Sequence, residues 1–171
     1  DLIICSLKQR ARLSADPLKV LDLGAGSGCI AISIAKAIPA CVIVAVDISW
    51  NAVQIAQANA LFHGLNNRVR FVLSDLSTGL RGDFDAIISN PPYIPSDEVC
   101  LAKDSCEPKL SLDGGKDGML FHRRIMEESL KLLRPGGLMC MECAETLSIP
   151  LAEQAGKIRC VVLAQVINDL T

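Results

Sequence analysis

The sequence contains no long uninterrupted apolar run and very little histidine. Asp, Gly, Pro or Lys break the apolar stretches of its 171 residues every few positions, so no membrane-spanning helix is expected. The opening stretch, DLIICSLKQRARL, has no basic region leading into an apolar run, so no signal peptide is expected. Because the chain starts with Asp rather than Met, we expect it to be a fragment of a longer protein. The two histidines, His63 and His122, lie far apart on separate predicted helices, which argues against a metal or catalytic histidine cluster.

The sequence also lacks an excess of positive charge. It has 17 Lys and Arg against 19 Asp and Glu, a formal net charge of −2, and an isoelectric point near 5.7. Nucleic-acid-binding domains usually carry a basic face, so direct nucleic-acid binding is not expected. Half of the residues are hydrophobic, which predicts a single domain over residues 1–171 with a substantial core.

The eight cysteines do not form the pattern of a metal site or a disulfide scaffold. Cys140 and Cys143 form the one C-x-x-C pair, and there is no second pair at zinc-finger spacing. Most of the others lie within apolar runs, where a free thiol behaves as a small hydrophobe. We therefore expect buried reduced thiols, no metal and a cytoplasmic location.

Apolar periodicity alternates between strand and helix along the chain. Helices are predicted at 29–38, 49–64 and 117–133 and within 146–156, with Ser49 and Asp117 as N-terminal caps. Strands are predicted at 19–24, 41–47, 69–75, 84–90, 137–143 and 157–166, with a turn at the RPGG stretch. This alternation predicts a doubly wound, mostly parallel α/β sheet, in which ligands bind beyond the carboxyl ends of the strands.

A glycine-rich turn follows the first predicted strand. The turn reads Gly24, Ala25, Gly26, Ser27, Gly28, and Asp22 precedes it. Such a turn lets a ligand approach the backbone, although glycines also serve simple packing. The dinucleotide fingerprint would require its third glycine at Cys29, which argues against a nicotinamide enzyme. The spacing resembles instead the first motif of S-adenosylmethionine-dependent methyltransferases.

Acidic residues end the next two strands. Asp47 is placed to accept the hydroxyl groups of an adenosine ribose; its alternative role as a helix cap is disfavoured because Ser49 is available. Asp75 is placed to meet the adenine amino group, although Asp also simply ends strands. Trp50 either lies against the adenine ring or shields the start of its helix.

The fourth strand ends in Asn90, Pro91, Pro92 and Tyr93. The nitrogen of a conjugated amino group is a poor nucleophile because its lone pair is delocalised. The Asn90 side-chain oxygen and the Pro91 carbonyl could each accept one N–H and direct the lone pair at a methyl donor. The prolines would stiffen the turn, and Tyr93 would pack on the planar group.

Three stretches resemble the HemK/PrmC family of protein-(glutamine-N5) methyltransferases, which modify peptide-chain release factors. They are ISNPPYIP (88–95), CEPKLSLDGGKDGMLFHRRI (106–125) and LLRPGGLMCMEC (132–143). The resemblance implies a class I, Rossmann-like, three-layer α/β/α methyltransferase with S-adenosylmethionine as cofactor, S-adenosylhomocysteine as product and a release factor as protein partner. It implies cofactor binding by Asp22, Gly24–Gly28, Asp47, Ile48, Asp75, Leu76 and Asn90, and binding of the acceptor glutamine by Asn90–Tyr93.

The sequence departs from the family pattern in several places. We expect this chain to lack the family's N-terminal helical domain, and Leu76 stands where the family often has Trp. Glu142 is followed by Cys143 and Ala144 rather than by the family's Glu-x-Gly. We expect the final antiparallel strand to be missing or borrowed beside strand 158–163. An adenine or cytosine amino-methyltransferase and a non-catalytic cofactor-binding remnant therefore stay open as alternatives.

Overall fold

The computed structural model describes residues 2–101 and 108–158. It divides into two compact units. The first comprises the chain up to Asn90 together with Lys131–Cys140, and the second comprises Pro91–Leu130 and the chain from Met141 onward. The prediction of a single domain over 1–171 is not tested by this division.

A five-stranded sheet forms the centre of the first unit. Its strands are β1 (Leu18–Leu23), β2 (Cys41–Asp47), β3 (Val69–Leu73), β4 (Phe84–Ser89) and β5 (Leu133–Met141). They are arranged in the order β3-β2-β1-β4-β5 and run parallel. All six residues of β4 are buried, as expected for a strand covered on both faces. The order reverses direction at β1, so the carboxyl ends of β1, β2 and β4 lie side by side at the switch point.

Three helices complete the first unit. They are α1 (Leu2–Leu13), α2 (Cys29–Ala37) and α3 (Trp50–Phe62). The fully buried Leu7 of α1 joins α2 and the sheet in one apolar cluster. The predicted cap of α3 is confirmed, because the Ser49 hydroxyl accepts a hydrogen bond from the Ala52 N–H at 3.3 Å. Sequence reasoning did not predict α1.

The second unit is built from short helices and loops. Its helices are α4 (Ser96–Leu101), α5 (Leu120–Ser129) and α6 (Glu145–Gly156), with a 3-10 turn at Lys109–Ser111. A further 3-10 turn, Leu130–Leu132, begins at the last residue of Pro91–Leu130 and continues into the first unit. The helix within 146–156 is confirmed by α6. Within this unit, Ile94 and Asp113 form an isolated parallel bridge, which sequence reasoning did not predict.

The prediction of a turn at RPGG is wrong, because β5 runs through it from Leu133. Arg134 pairs with Asp85 of β4 at 2.6 Å, and this ion pair holds the stretch against the sheet. The proline is tolerated because β5 is an edge strand of the described sheet. Gly136 has a φ of +74°, a left-handed backbone conformation that departs from that of a regular strand.

Other element boundaries also differ from the prediction. Asp117 does not cap α5, which begins three residues later at Leu120. Its carboxylate instead accepts from the Met119 N–H at 3.2 Å and pairs with Arg123 at 2.9 Å. The strand predicted at 157–166, and with it the expectation about a neighbour for 158–163, lies outside the described residues.

The expectation that the thiols are buried holds only in part. Cys41 is buried, and burial raises the pKa of its thiol to about 11. Cys140 and Cys143 are partly buried, and burial raises their pKa values as well. Cys5 and Cys29, however, are exposed.

None of the described helices is both long and apolar enough to span a membrane.

Candidate active site

The glycine turn follows β1 at the switch point of the sheet. Gly24, Gly26 and Gly28 all have positive φ, at +73°, +54° and +81°, a region that L side chains rarely adopt. The N–H groups of Gly24 and Ala25 both donate to the Val46 carbonyl at 2.9 Å, which ties the turn to β2. A Cβ at Gly28 would lie only 2.9 Å from the Phe71 ring, whereas one at Gly24 or Gly26 would meet open space. A side chain at position 28 would therefore disturb the packing, whereas the first two glycines leave room above the turn. Cofactor binding by Gly24–Gly28 stays a prediction.

Asp47 connects the end of β2 to this turn. Its Oδ2 accepts a hydrogen bond from the Gly26 N–H, and its Oδ1 accepts one from the Ser49 N–H, both at 2.8 Å. The carboxylate therefore organises the glycine turn and the entry to α3, while Ser49 caps the helix. Sequence reasoning placed Asp47 at the sheet edge correctly but did not foresee that it would bind the turn itself. Its role toward a ribose stays a prediction.

Asp22 lies in β1, two residues before the turn, and is completely buried. Among the described residues, neither of its carboxylate oxygens has a hydrogen-bond partner of standard geometry. Burial raises its pKa to about 7; the nearby Ala31 N–H opposes this effect and the Asp47 charge adds to it. The role of Asp22 in cofactor binding stays a prediction.

Asp75 and Leu76 follow β3. The Ser74 N–H donates to the Asp47 carbonyl at 3.0 Å, which brings the end of β3 to the end of β2. Asp75 is exposed, whereas the Leu76 side chain is buried. Leu76 has a φ of +47° and is the one non-glycine residue in the described ranges with positive φ. Such strain is typical of functional sites, and no local sequence pattern indicates it.

Exposed apolar side chains follow Asp47 on the chain. Ile48 is 55% exposed and Trp50 is 56% exposed. Neither side chain is used to fill the core, so both are accessible at the carboxyl end of β2. Exposure fits either interpretation of Trp50 and leaves them open.

Asn90 ends the first unit directly after β4, with its side chain exposed. The preceding residue, Ser89, is buried, and its hydroxyl donates to the Leu23 carbonyl at 2.7 Å. This bond joins the last residue of β4 to the last residue of β1, in the register that pairs them in the sheet. The sheet therefore sets the position from which Asn90 extends.

In the second unit, Pro91 is buried, and Pro92 and Tyr93 are half-buried. The Tyr93 hydroxyl makes a long hydrogen bond of 3.5 Å to Oε1 of Glu142. A cavity of about 140 Å³ borders the Tyr93 side of this unit. It is lined by Tyr93, Ile94, Pro95, Glu98, Ala144, Thr146 and Leu147.

The loop of residues 112–118 packs on the backbone around Tyr93. The Gly114 N–H donates to the Ile94 carbonyl at 2.8 Å, and the Ile94 N–H donates to the Leu112 carbonyl at 3.0 Å. A Cβ at Gly114 would lie 2.7 Å from the Tyr93 Cα, and one at Gly118 would overlap the Tyr93 carbonyl oxygen. Sequence reasoning noted the Leu-Asp-Gly-Gly pattern only as part of a resemblance; its close approach to Tyr93 was missed.

The histidines do not form a metal or catalytic cluster. His122 is completely buried, its Nε2 lies 2.8 Å from the Glu142 carbonyl, and burial lowers its pKa. His63 ends α3 at the surface. Within residues 2–101 and 108–158, no group of three His, Cys, Asp or Glu could hold a metal ion.

Comparison with known proteins gives relatives over most of the chain. It is 39% identical over 130 residues to the release factor glutamine methyltransferase of Bradyrhizobium diazoefficiens, which covers 74% of this chain and 44% of that protein. It is 41% identical over 124 residues to the ribosomal protein uL3 glutamine methyltransferase of Neisseria meningitidis serogroup A, which covers 71% of this chain and 41% of that protein. The matched region thus spans less than half the length of either relative.

Solved structures share the fold. The crystal structure of the hMettl16 catalytic domain in complex with MAT2A 3'UTR hairpin 6 superimposes with a TM-score of 0.66, over 90% of this chain and 59% of that one. The sequence identity is 17%, so this likeness shows the fold alone. The predicted α/β fold of class I methyltransferases is confirmed.

The matched family agrees with this fold and with the resemblance read from the sequence. Residues 2–102, more than half of the chain, match the family described as Methyltransferase small domain. They contain the glycine turn, Asp47 and the Asn90–Tyr93 stretch that the sequence singled out. This chain therefore belongs to the Methyltransferase small domain family.

Proposed function

We propose that the protein transfers a methyl group from S-adenosylmethionine to the side-chain amide nitrogen of a glutamine in a protein substrate, a peptide-chain release factor. The observation that carries this proposal is that Asn90 directly follows β4, at the switch point of the sheet, and begins the sequence Asn90-Pro91-Pro92-Tyr93. Relatives named as release factor and uL3 glutamine methyltransferases support a protein glutamine as the acceptor.

The cofactor would be held at the carboxyl ends of β1, β2 and β3. The room above Gly24 and Gly26 fits close approach of the amino acid part of the cofactor. Asp47 would turn one oxygen from its backbone partners to the ribose hydroxyls. Exposed Asp75 would accept from the adenine amino group, beside the exposed Ile48. The chemistry supplied by the bound cofactor is an electrophilic methyl group on a sulfonium.

The acceptor amide would be oriented by two oxygens that are consecutive along the chain. The Asn90 side-chain oxygen and the Pro91 carbonyl would each accept one N–H of the glutamine amide. Two proline rings fix the backbone φ at 91 and 92, so the Pro91 carbonyl has little freedom to move. Tyr93 would pack against the planar amide. The glutamine nitrogen would take the methyl group that the cofactor supplies, and one amide proton would leave to water.

A nucleic-acid amino group is the second candidate acceptor, because the same four residues would orient an adenine or cytosine amino group. The balance of charge disfavours it, since the chain has 17 basic and 19 acidic residues and phosphate backbones are bound mainly by Lys and Arg.

Methyl-label transfer tests the proposal. The protein is incubated with methyl-labelled S-adenosylmethionine and, separately, a release factor, ribosomal protein uL3, a DNA duplex and an RNA hairpin. Label on a release factor supports the proposal. Label on uL3 alone would support protein methyl transfer but would contradict a release factor as the substrate. Label on nucleic acid alone contradicts it. Calorimetric binding of the cofactor without label on any substrate would indicate a non-catalytic remnant.

A further inference from the structure

We infer that Asp113 is a positioning residue for the acceptor side of the site. It acts through a brace, defined here as Leu112–Gly115 together with Gly118, that fixes the Tyr93 backbone. The inference rests on the proposed function, for which Tyr93 contacts the acceptor amide. All of these residues belong to the second unit.

Asp113 links the brace to Ser96, three residues after Tyr93. Its Oδ1 accepts a 2.6 Å hydrogen bond from the Ser96 hydroxyl and a 2.9 Å hydrogen bond from the Gly115 N–H. The Ser96 N–H in turn donates to the Gly115 carbonyl at 3.0 Å. One carboxylate oxygen therefore links the chain just after Tyr93 to the loop that packs on Tyr93. These two hydrogen bonds also lower the pKa of Asp113, so its carboxylate is charged near neutral pH.

The glycines of the brace lie against the Tyr93 backbone. Gly114 packs on its Cα and Gly118 on its carbonyl oxygen, so closely that no side chain fits at either position. Gly118 also has a φ of +72°. Hydrogen bonds between Ile94 and the brace, in both directions, fix the register of this contact. The arrangement holds a main chain in place rather than filling a core, which is what an orienting residue needs.

The single tyrosine of the chain allows a direct test. Fluorotyrosine incorporated during expression labels Tyr93 alone, and its ¹⁹F resonance reports the Tyr93 environment without requiring any activity. We expect Asp113→Ala to shift or broaden this resonance. Asp113→Asn keeps a side-chain oxygen that can accept from both Ser96 and Gly115, so its ¹⁹F resonance should stay close to that of the wild type. Lys116→Ala, a change at an exposed neighbouring side chain, is the matched control and should leave it unchanged.

The same variants are measured in methyl transfer to a release factor. We expect Asp113→Ala to lower kcat/KM at least about tenfold, because small displacements of a reacting group are costly. The dissociation constant for S-adenosylmethionine should stay within about twofold of the wild-type value. Ser96→Ala removes one of the two donors and should give a smaller loss of the same kind, which guards against misfolding of the first variant.

The outcomes separate this inference from the proposed function. A wild-type protein that labels no glutamine contradicts the proposed function, and the ¹⁹F resonance then still decides whether the brace fixes Tyr93. An unchanged resonance in Asp113→Ala overturns the inference. Equal losses of transfer and cofactor binding in both Asp113→Ala and Ser96→Ala would also overturn it, because they would mark a merely structural role.

Discussion

The Asp47 carboxylate accepts a 2.8 Å hydrogen bond from the Gly26 N–H, which ties the end of β2 to the glycine turn after β1. The same carboxylate holds the Ser49 N–H at the start of α3. The Asp47 side chain thus connects three segments that border the proposed cofactor site: the end of β2, the glycine turn and the start of α3.

Replacement of Asp47 by Ala should weaken cofactor binding strongly. The change removes a charged acceptor for the ribose hydroxyls and releases the Gly26 N–H that shapes the turn. We expect the dissociation constant for S-adenosylmethionine to rise by about 30-fold or more, about 2 kcal/mol, measured by isothermal titration calorimetry. Asp16→Ala, at an exposed position, should leave the constant unchanged. An affinity near wild type in Asp47→Ala would contradict the proposed ribose contact.

Replacement of Asn90 by Ala should separate chemistry from cofactor binding. The exposed amide follows β4 and is proposed to orient the acceptor N–H, which matters most in the transition state. We expect kcat for methyl transfer to fall about 100-fold, while the dissociation constant for S-adenosylmethionine changes by less than about threefold. Asn66→Ala alters an exposed amide elsewhere in the first unit and should change neither. Comparable losses in both quantities would show that Asn90 mainly holds the cofactor.

Stability should depend on pH through Asp22. Burial raises its pKa to about 7, well above the usual value for Asp of about 3.9. At a pH between these two pKa values, Asp22 keeps its proton in the folded protein and loses it in the unfolded chain. The free energy of unfolding should therefore fall as pH rises from about 4 to about 7, with a slope from this group of up to about 1.4 kcal/mol per pH unit.

Asp22→Asn removes this titration. In urea denaturation at a series of pH values, its stability relative to the wild type should rise between pH about 4 and about 7 and then level off. Asp16→Asn, at an exposed site, serves as the control and should run parallel to the wild type. A constant difference between Asp22→Asn and the wild type across that window would show that Asp22 does not hold a proton in the folded state.

Removal of the Ser89 hydroxyl should destabilise the first unit. Ser89→Ala leaves the Leu23 carbonyl without the side-chain donor it has in the wild type, in a buried setting. The expected loss is about 1 to 3 kcal/mol in the free energy of unfolding by urea denaturation. Ser6→Ala, at an exposed position of α1, should change stability by less than about 0.5 kcal/mol. A loss no larger than this in Ser89→Ala would mean that the bond contributes little.

The glycines of the turn should differ in their tolerance of Ala. Gly28→Ala combines a positive φ with a Cβ that meets Phe71 and Ala56. We expect it to cost about 2 kcal/mol or more. Gly24→Ala has the same kind of φ but open space around its Cβ, so about 1 kcal/mol is expected. Equal losses in urea denaturation would show that the packing against Phe71 yields easily.

The strands were the most predictable part of the fold. β1, β2 and β4 are covered on both faces, and strands buried in this way have continuous apolar runs in their sequences. β4, with all six residues buried, was predicted to within one residue of its observed end. The strand through RPGG was not predictable in this way, because Pro135 and Gly136 are locally turn-forming and are held by the long-range Arg134–Asp85 ion pair.

The site was predictable at strand ends and not beyond them. Asp47 and Asn90 could be placed because parallel strands bring their carboxyl ends to one edge. The strain at Leu76 and the burial of Asp22 depend on packing that no local pattern encodes. The pairing of Ile94 with Asp113 joins residues far apart in the chain, so local reasoning could not reveal that residues 112–118 pack on the Tyr93 backbone.

The most direct test of the central claim is to locate the transferred methyl group. A release factor labelled with ¹⁵N in its glutamine side-chain amides is incubated with the protein and ¹³C-methyl S-adenosylmethionine. The account predicts a one-bond coupling between the new methyl carbon and a glutamine side-chain nitrogen in the NMR spectrum, which is lost with Asn90→Ala. A methyl group on any other atom, or no transfer by a protein that binds the cofactor, would contradict it.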